Sequence, residues 1–172
     1  MKMCKRQEIF QGKIIKVFLD DVELADGSRT TREVVYHKEA VAVAAVDENK
    51  NILMVRQYRY PIGRDMLELP AGLVDEGEEP LQAARRELRE ETGYEAARWD
   101  LLTAIHPSPG SHNEKIHIYA ASDLKQVSDQ CLDEDEILTC SLIPADDAVK
   151  MIKEGKIMDG KTIIGILLYL AQ

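Results

Sequence analysis

The chain has 172 residues, 45% of them hydrophobic and 31% charged, with 31 acidic against 22 basic side chains and a net charge of -9. That length suits one ordinary domain with its own core, the composition is globular, and the acidic balance disfavours wrapping a polynucleotide through its phosphates. No stretch of about 18 apolar residues is present to span a bilayer, and the basic start at residues 1–8 is not followed by a signal-like apolar run, so a soluble, cytoplasmic protein is expected. Cys4, Cys131 and Cys140 form no Cys-x-x-Cys pair, and the four histidines show no His-x-x-x-His spacing. Neither a disulfide framework nor a zinc site is expected, and any metal should be hard and oxygen-bound.

In chain order, residues 9–24 mix β-branched and polar side chains in near alternation and break at Asp26-Gly27-Ser28. This predicts strand, turn and strand, with residues 32–37 as the second strand. Residues 40–46 and 52–58 are apolar runs that read as buried strands, joined as a hairpin by the polar stretch 47–51. Residues 66–69 read as a short strand that Pro70-Ala71-Gly72 ends. A helix is predicted from Pro80 to Thr92: Pro80 suits its first position, Gly93 suits the residue past its end, and Leu81, Ala84, Leu88 and Thr92 recur on one face. Its weak point is Glu79, a poor N-cap. Residues 101–105, 115–121 and 137–143 read as strands, residues 145–154 as a helix, and residues 162–171 as a mostly apolar, buried closing helix. Loops at 107–113 and 129–136 lie where sites tend to sit.

Glu87, Glu90 and Glu91 fall on adjoining positions of the predicted helix. Crowded carboxylates repel by about 1 kcal/mol per close pair in water and about 4 at an effective dielectric of 20. A divalent cation with oxygen ligands, Mg2+ or Mn2+, would reverse that sign. Charge pattern alone favours a solvated face neutralised by Arg85, Arg86 and Arg89. The wider spacing decides between them: Gly72, five residues, Glu78, seven residues, then Arg86-Glu87-Leu88-Arg89-Glu90-Glu91-Thr92-Gly93-Tyr94.

This glycine-loop-helix pattern is the Nudix box, and from about Glu8 onward the chain resembles the ADP-ribose diphosphatase branch of the Nudix superfamily. The resemblance implies an α/β/α sandwich around a mixed sheet (residues 40–172), preceded by a small N-terminal antiparallel sheet (residues 1–39) that joins a homodimer. It implies a small-molecule nucleoside diphosphate substrate, hydrolysed with Mg2+, or with Mn2+ as an alternative. Glu87 and Glu91 would bind metal with Glu90 close by, the Ala71 carbonyl would add a ligand, and Arg86 with Glu78 would tie loop to helix. Arg59 matches a phosphate-contacting position, and Arg56 is either structural or directed to the partner subunit. The catalytic base would come from the Asp133-Glu134-Asp135-Glu136 run, with Glu136 the first choice and Glu134 the second. Pro109, about sixteen residues past the box, favours ADP-ribose among substrates. Glu114 would bind metal or ribose, and His37 would lie near the nucleotide. Phe10, Phe18, Tyr36 and Tyr58 are candidates to stack on adenine. GDP-mannose, a dinucleoside polyphosphate, or a sensing role without cleavage are the alternatives.

Overall fold

The computed structural model describes residues 1–132 and 137–172, which form two compact units. The first comprises Met1–Glu39 and His106–Lys115. Its strands β1 (Lys2–Gln11), β2 (Ile15–Glu23) and β3 (Arg29–His37) form an antiparallel sheet in the order β1-β2-β3. The 106–115 loop is laced to β3 by Val35 N–H to the Ser111 carbonyl (2.8 Å) and Asn113 N–H to the Val35 carbonyl (3.1 Å). The span 9–24, read as one strand, is divided: it holds the end of β1, a turn at Gly12 and all of β2. The turn was missed because Gly12-Lys13 lies between β-branched residues, and β1 because Lys5-Arg6-Gln7-Glu8 shows no apolar alternation.

The second unit comprises Ala40–Ile105 and Ile116–Gln172. Its strands are β4 (Ala40–Ala45), β5 (Asn51–Arg59), β6 (Arg64–Glu68), β7 (Ala71–Leu73), β8 (Tyr94–Ile105), β9 (Ile116–Gln126) and β10 (Leu138–Pro144). They build a four-stranded mixed sheet, β7-β4-β9-β8, and a three-stranded antiparallel sheet, β10-β5-β6. Helices α1 (Pro80–Thr92), α2 (Ala145–Lys153) and α3 (Gly160–Leu170) complete it. The layering turns on β4, where every residue is buried. Val41, Val43 and Ala45 point to a cluster with Ala83, Ala84 and Leu88 of α1. On the other face Ala44 packs with Ile166 of α3, and Ala42 lies in the cluster that Ile164 adjoins. A strand covered on both faces reads as the unbroken apolar run seen in the sequence. The small side chains Ala42 and Ala44 also let α3 come close at Gly165, where a Cβ would lie 2.6 Å from Leu69 Cδ1.

Four local expectations are corrected. β4 and β5 belong to different sheets and share only the bridge Val46–Ile52, so residues 47–51 change sheets and do not close a hairpin. Ala71-Gly72 does not simply end a strand but begins β7, paired with β4. β8 starts at Tyr94, seven residues before the expected strand, because pairing with β9 overrides the weak strand preference of Glu95-Ala96-Ala97. In α3 only Thr162, Gly165 and Ile166 are buried, while Leu167, Leu168 and Leu170 are exposed. Helix α1 itself matches the expected bounds; Gly93 closes it in the left-handed region (φ 75°), and Gln82 Oε1 accepts the Glu79 N–H at 3.4 Å, relieving the poor N-cap. Among the described residues no helix is long and apolar enough to cross a membrane.

Leu88 has no exposed surface and seats α1 on the sheet. Leu88→Ala is expected to cost about 2–5 kcal/mol in chemical denaturation; a loss below about 0.5 kcal/mol would show that α1 is not anchored by this contact.

Candidate functional site

The site is organised by one guanidinium. Arg86, in the middle of α1, donates from Nε and Nη2 to both carboxylate oxygens of Glu78 (3.0 and 2.9 Å) and from Nη2 to the Leu73 carbonyl (2.9 Å). Its Nη1 donates to Glu87 (2.6 Å) and to Glu90 (3.1 Å). Loop, β7 and helix are thereby fixed in one register. The bidentate Glu78 bond, followed by Glu87 and Glu90, raises the Arg86 pKa further, and the same bond lowers that of Glu78. Of the other two arginines on α1, Arg89 pairs with Glu95 (3.3 Å) and Arg85 lies over the Trp99 ring (5.8 Å). The neutralisation that charge pattern suggested is therefore carried, for Glu87 and Glu90, by Arg86.

Glu91 is 2% exposed, and its Oε2 accepts the Ala71 N–H at 2.9 Å. Glu87 presses against Gly72: a Cβ built there would overlap the carboxylate, so only glycine admits this approach. Glu87 and Glu91 are thus brought to the Ala71-Gly72 backbone of β7, and Arg86 ties Glu90 to Glu87. All the donors are oxygens, as a hard cation requires. Among the described residues no three acidic, histidine or cysteine side chains converge into a ready-made cage.

The carbonyls at the C-terminal end of α1 are capped from the β9–β10 connection and from β10 itself. Cys131 N–H donates to the Glu90 carbonyl (2.8 Å), while Gln130 Nε2 (2.6 Å) and Cys140 Sγ (3.1 Å) donate to that of Glu91. Burial raises the Cys140 thiol to about 11, which keeps it a donor. Glu134 and Glu136, which follow this cap, lie outside the described residues.

Arg59, at the end of β5, makes a bidentate pair with Glu68, both bonds 2.8 Å. Glu68 also receives Lys161 Nζ at 2.6 Å, and Lys161 reaches Asp159 at 3.0 Å. Burial by itself would raise the Glu68 pKa, but the Arg59 hydrogen bonds and the Lys161 charge outweigh it and hold the value at about 2. The Glu68 bond raises the Arg59 pKa, with a smaller contribution from the charge of Glu91. Arg56, exposed on β5, pairs across to Leu67 and Thr139. Sequence reasoning missed Glu68, Lys161 and Asp159; Glu68 is buried directly after buried Leu67 at the end of β6, and nothing local in the sequence marked any of the three.

Within the first unit, His37 and Glu114 are brought together, Nδ1 to Oε1 3.7 Å, with Nδ1 also 2.7 Å from the Lys38 carbonyl. Asn113 Oδ1 accepts the His37 N–H at 2.7 Å. Two of the aromatic candidates also meet there: Phe18 and Tyr36 stand edge to face at 5.2 Å, with the Arg6 guanidinium 4.7 and 5.0 Å from their ring centres. Phe10 and Tyr58 are exposed.

Residues 36–163 match the NUDIX domain. The chain belongs to the Nudix family. Residues 1–35 match the nucleoside diphosphate sugar hydrolase N-terminal domain. Among relatives, this Nudix hydrolase is 42% identical to the methanol dehydrogenase activator of Bacillus methanolicus and 40% identical to the ADP-ribose pyrophosphatase of Bacillus subtilis (strain 168). Each alignment spans 96% of this chain and 90% of the relative. A solved structure described as an ADP compounds hydrolase superimposes with a TM-score of 0.89 over 99% of this chain and 92% of that one, at 23% identity, a likeness of fold. Nudix ADP-ribose pyrophosphatases depend on divalent metal.

Two outcomes follow from this geometry. Gly72→Ala should displace the Glu87 carboxylate and lower diphosphate hydrolysis by about 10–100-fold while the protein still melts cooperatively, since misplacing groups around a metal costs that much; wild-type turnover would show that the close approach is incidental. Glu68 has a folded-state pKa below its unfolded value of about 4.3, so its stabilising effect is full above that value and is lost as pH falls through about 2. Acid denaturation of Glu68→Gln should therefore be shallower than wild type between those limits, and identical profiles would contradict the pairing.

Proposed function

We propose that the protein hydrolyses the diphosphate linkage of ADP-ribose to AMP and ribose 5-phosphate in a Mg2+-dependent reaction, with Mn2+ as an alternative ion. The observation that carries this reading is the register of Glu87 and Glu91 against the Ala71-Gly72 backbone, with Glu90 tied to Glu87 through Arg86. The 40% identity to the ADP-ribose pyrophosphatase of Bacillus subtilis supports the choice of substrate.

Glu87, Glu90, Glu91 and the Ala71 carbonyl would hold the ion, which when bound supplies charge neutralisation on the diphosphate and activation of a water. Arg59 offers its partly exposed guanidinium to the phosphates, where a planar fork suits two oxygens at once. Arg86 keeps Glu87 and Glu90 from separating as the charge between them changes. Proton removal from the attacking water is assigned to Glu136, then Glu134, on the resemblance alone, with Glu91 as a further catalytic carboxylate. Arg56 is assigned to substrate, from its own or the partner subunit, and the His37–Glu114 pair to nucleotide binding. A homodimer formed through the N-terminal strands is supported by β1, where every residue is exposed, Met3, Ile9 and Phe10 among them. The acidic chain is assigned to the cytoplasm, with no nucleic-acid or membrane partner.

The match of residues 1–35 to a nucleoside diphosphate sugar hydrolase domain favours, as a second reading, a different sugar on the diphosphate. A Mg2+ assay of ADP-ribose, GDP-mannose and a dinucleoside polyphosphate, with products separated by chromatography, distinguishes them. ADP-ribose should give the highest kcat/KM with AMP and ribose 5-phosphate as products; an equal or faster rate on GDP-mannose would overturn the choice. Glu91→Gln should lower kcat by at least about a hundredfold with the fold intact, a metal ligand mattering no less than the groups around it; unchanged turnover would remove Glu91 from the site.

A further inference from the structure

The Arg59-Glu68 pair creates a conflict for a phosphate-binding arginine. Glu68 is 2% exposed and already accepts both forks of the guanidinium. An Arg59 that turned to a diphosphate would leave a buried carboxylate behind, and stripping one partner from a buried ion pair is strongly unfavourable. The structure supplies a second cation. Lys161 Nζ lies 2.6 Å from Glu68 Oε2, and the accessible fractions of the side chains differ in an informative way: 38% for Arg59, 14% for Lys161 and 3% for Glu68. The guanidinium is the partner with access to solvent, and the ammonium is the one enclosed with the carboxylate.

Lys161 is also held by a second carboxylate. It sits in the first turn of α3, whose cap Asp159 accepts from Lys161 Nζ and from the Thr162 N–H, each at 3.0 Å. The Thr162 hydroxyl, fully buried, accepts the Leu69 N–H at 2.9 Å, next to Glu68 in sequence. The start of α3 is therefore stitched to the end of β6 beside the Pro70-Ala71-Gly72 turn. The charges bearing on Glu68 are Arg59 from β5 and Lys161 from α3; Asp159 stands behind Lys161, and Glu91 of α1 acts on Arg59.

We propose that Lys161 is a positioning residue for substrate binding: it remains on Glu68 when Arg59 engages the substrate diphosphate, so that the arginine can be shared without leaving a buried carboxylate unpaired. This rests on the ADP-ribose reading and extends it to how the phosphate grip is released and reset. The device acts on binding. Its loss should raise KM and leave the bond-breaking step nearly unchanged.

The test is a double-mutant cycle read by calorimetric binding of the non-hydrolysable α,β-methylene analogue of ADP-ribose, with steady-state kinetics beside it. Lys161→Met should weaken analogue binding and raise KM by about tenfold with kcat within about twofold, and Lys161→Arg should restore both. In the Glu68→Gln background, where no buried anion needs a counter-ion, Lys161→Met should change affinity by less than about twofold. Should Lys161→Met fail to fold, Lys161→Gln takes its place in the same cycle with the same expectation. Analogue binding unaffected by loss of Lys161 would overturn the proposal, as would a loss that persists in the Glu68→Gln background, because Lys161 would then touch the phosphates itself. A wild-type protein that neither binds the analogue nor cleaves ADP-ribose would overturn the ADP-ribose reading and this proposal with it.

Discussion

Three glutamates on one helix surface repel each other, and the fold tolerates them because a single guanidinium answers two of them at once. Arg86 spans Glu78 in the loop, the Leu73 carbonyl in β7, and Glu87 and Glu90 in α1. A bidentate arginine is the only side chain with enough fixed donors for that set. Everything else at this end of the unit takes its register from it: Glu91 against the Ala71 N–H, Glu87 against Gly72, and the capped carbonyls at the end of α1. Among the described residues these carboxylates do not converge into a closed cage.

Around this hub the apolar framework is economical. β4 is buried on both faces, so α1 and α3 lie on opposite sides of one strand, and the small residues of β4 with Gly165 of α3 set how close the second helix comes. That close approach brings Lys161 to Glu68 and so to Arg59. The hydrophobic packing and the charge network are therefore one arrangement, since a longer side chain at Gly165 would move the cation that accompanies Glu68.

Helix α1 was fully legible in the sequence because its determinants are local: Pro80, Gly93 and a helical apolar face. The hub was legible through spacing, as Gly72, Glu78 and the Arg86 to Glu91 run have meaning only together. What escaped is non-local. β1 has no apolar alternation, because a strand exposed on both faces needs none, and β8 begins in residues that only pairing with β9 makes extended. Glu68 looked like one acidic residue in a short strand, and Lys161 lies 93 positions away, so their 2.6 Å contact leaves no periodic trace. The roles proposed for Arg59, His37 and Glu114 rest on the resemblance to Nudix enzymes; the structure adds that Arg59 is already engaged and that His37 and Glu114 are neighbours.

The central claim is that the α1 carboxylates, aligned by Arg86 and Gly72, form a divalent-cation centre. The most direct measurement is Mn2+ binding followed by the electron paramagnetic resonance signal of the free ion, in wild type and in Glu87→Gln and Glu91→Gln, without substrate. Each substitution should weaken Mn2+ binding by at least about tenfold while the melting temperature of the apo-protein stays the same or rises, as removing a ligand costs affinity and removing a crowded charge relieves repulsion. Mn2+ binding equal to wild type in both variants would contradict the account.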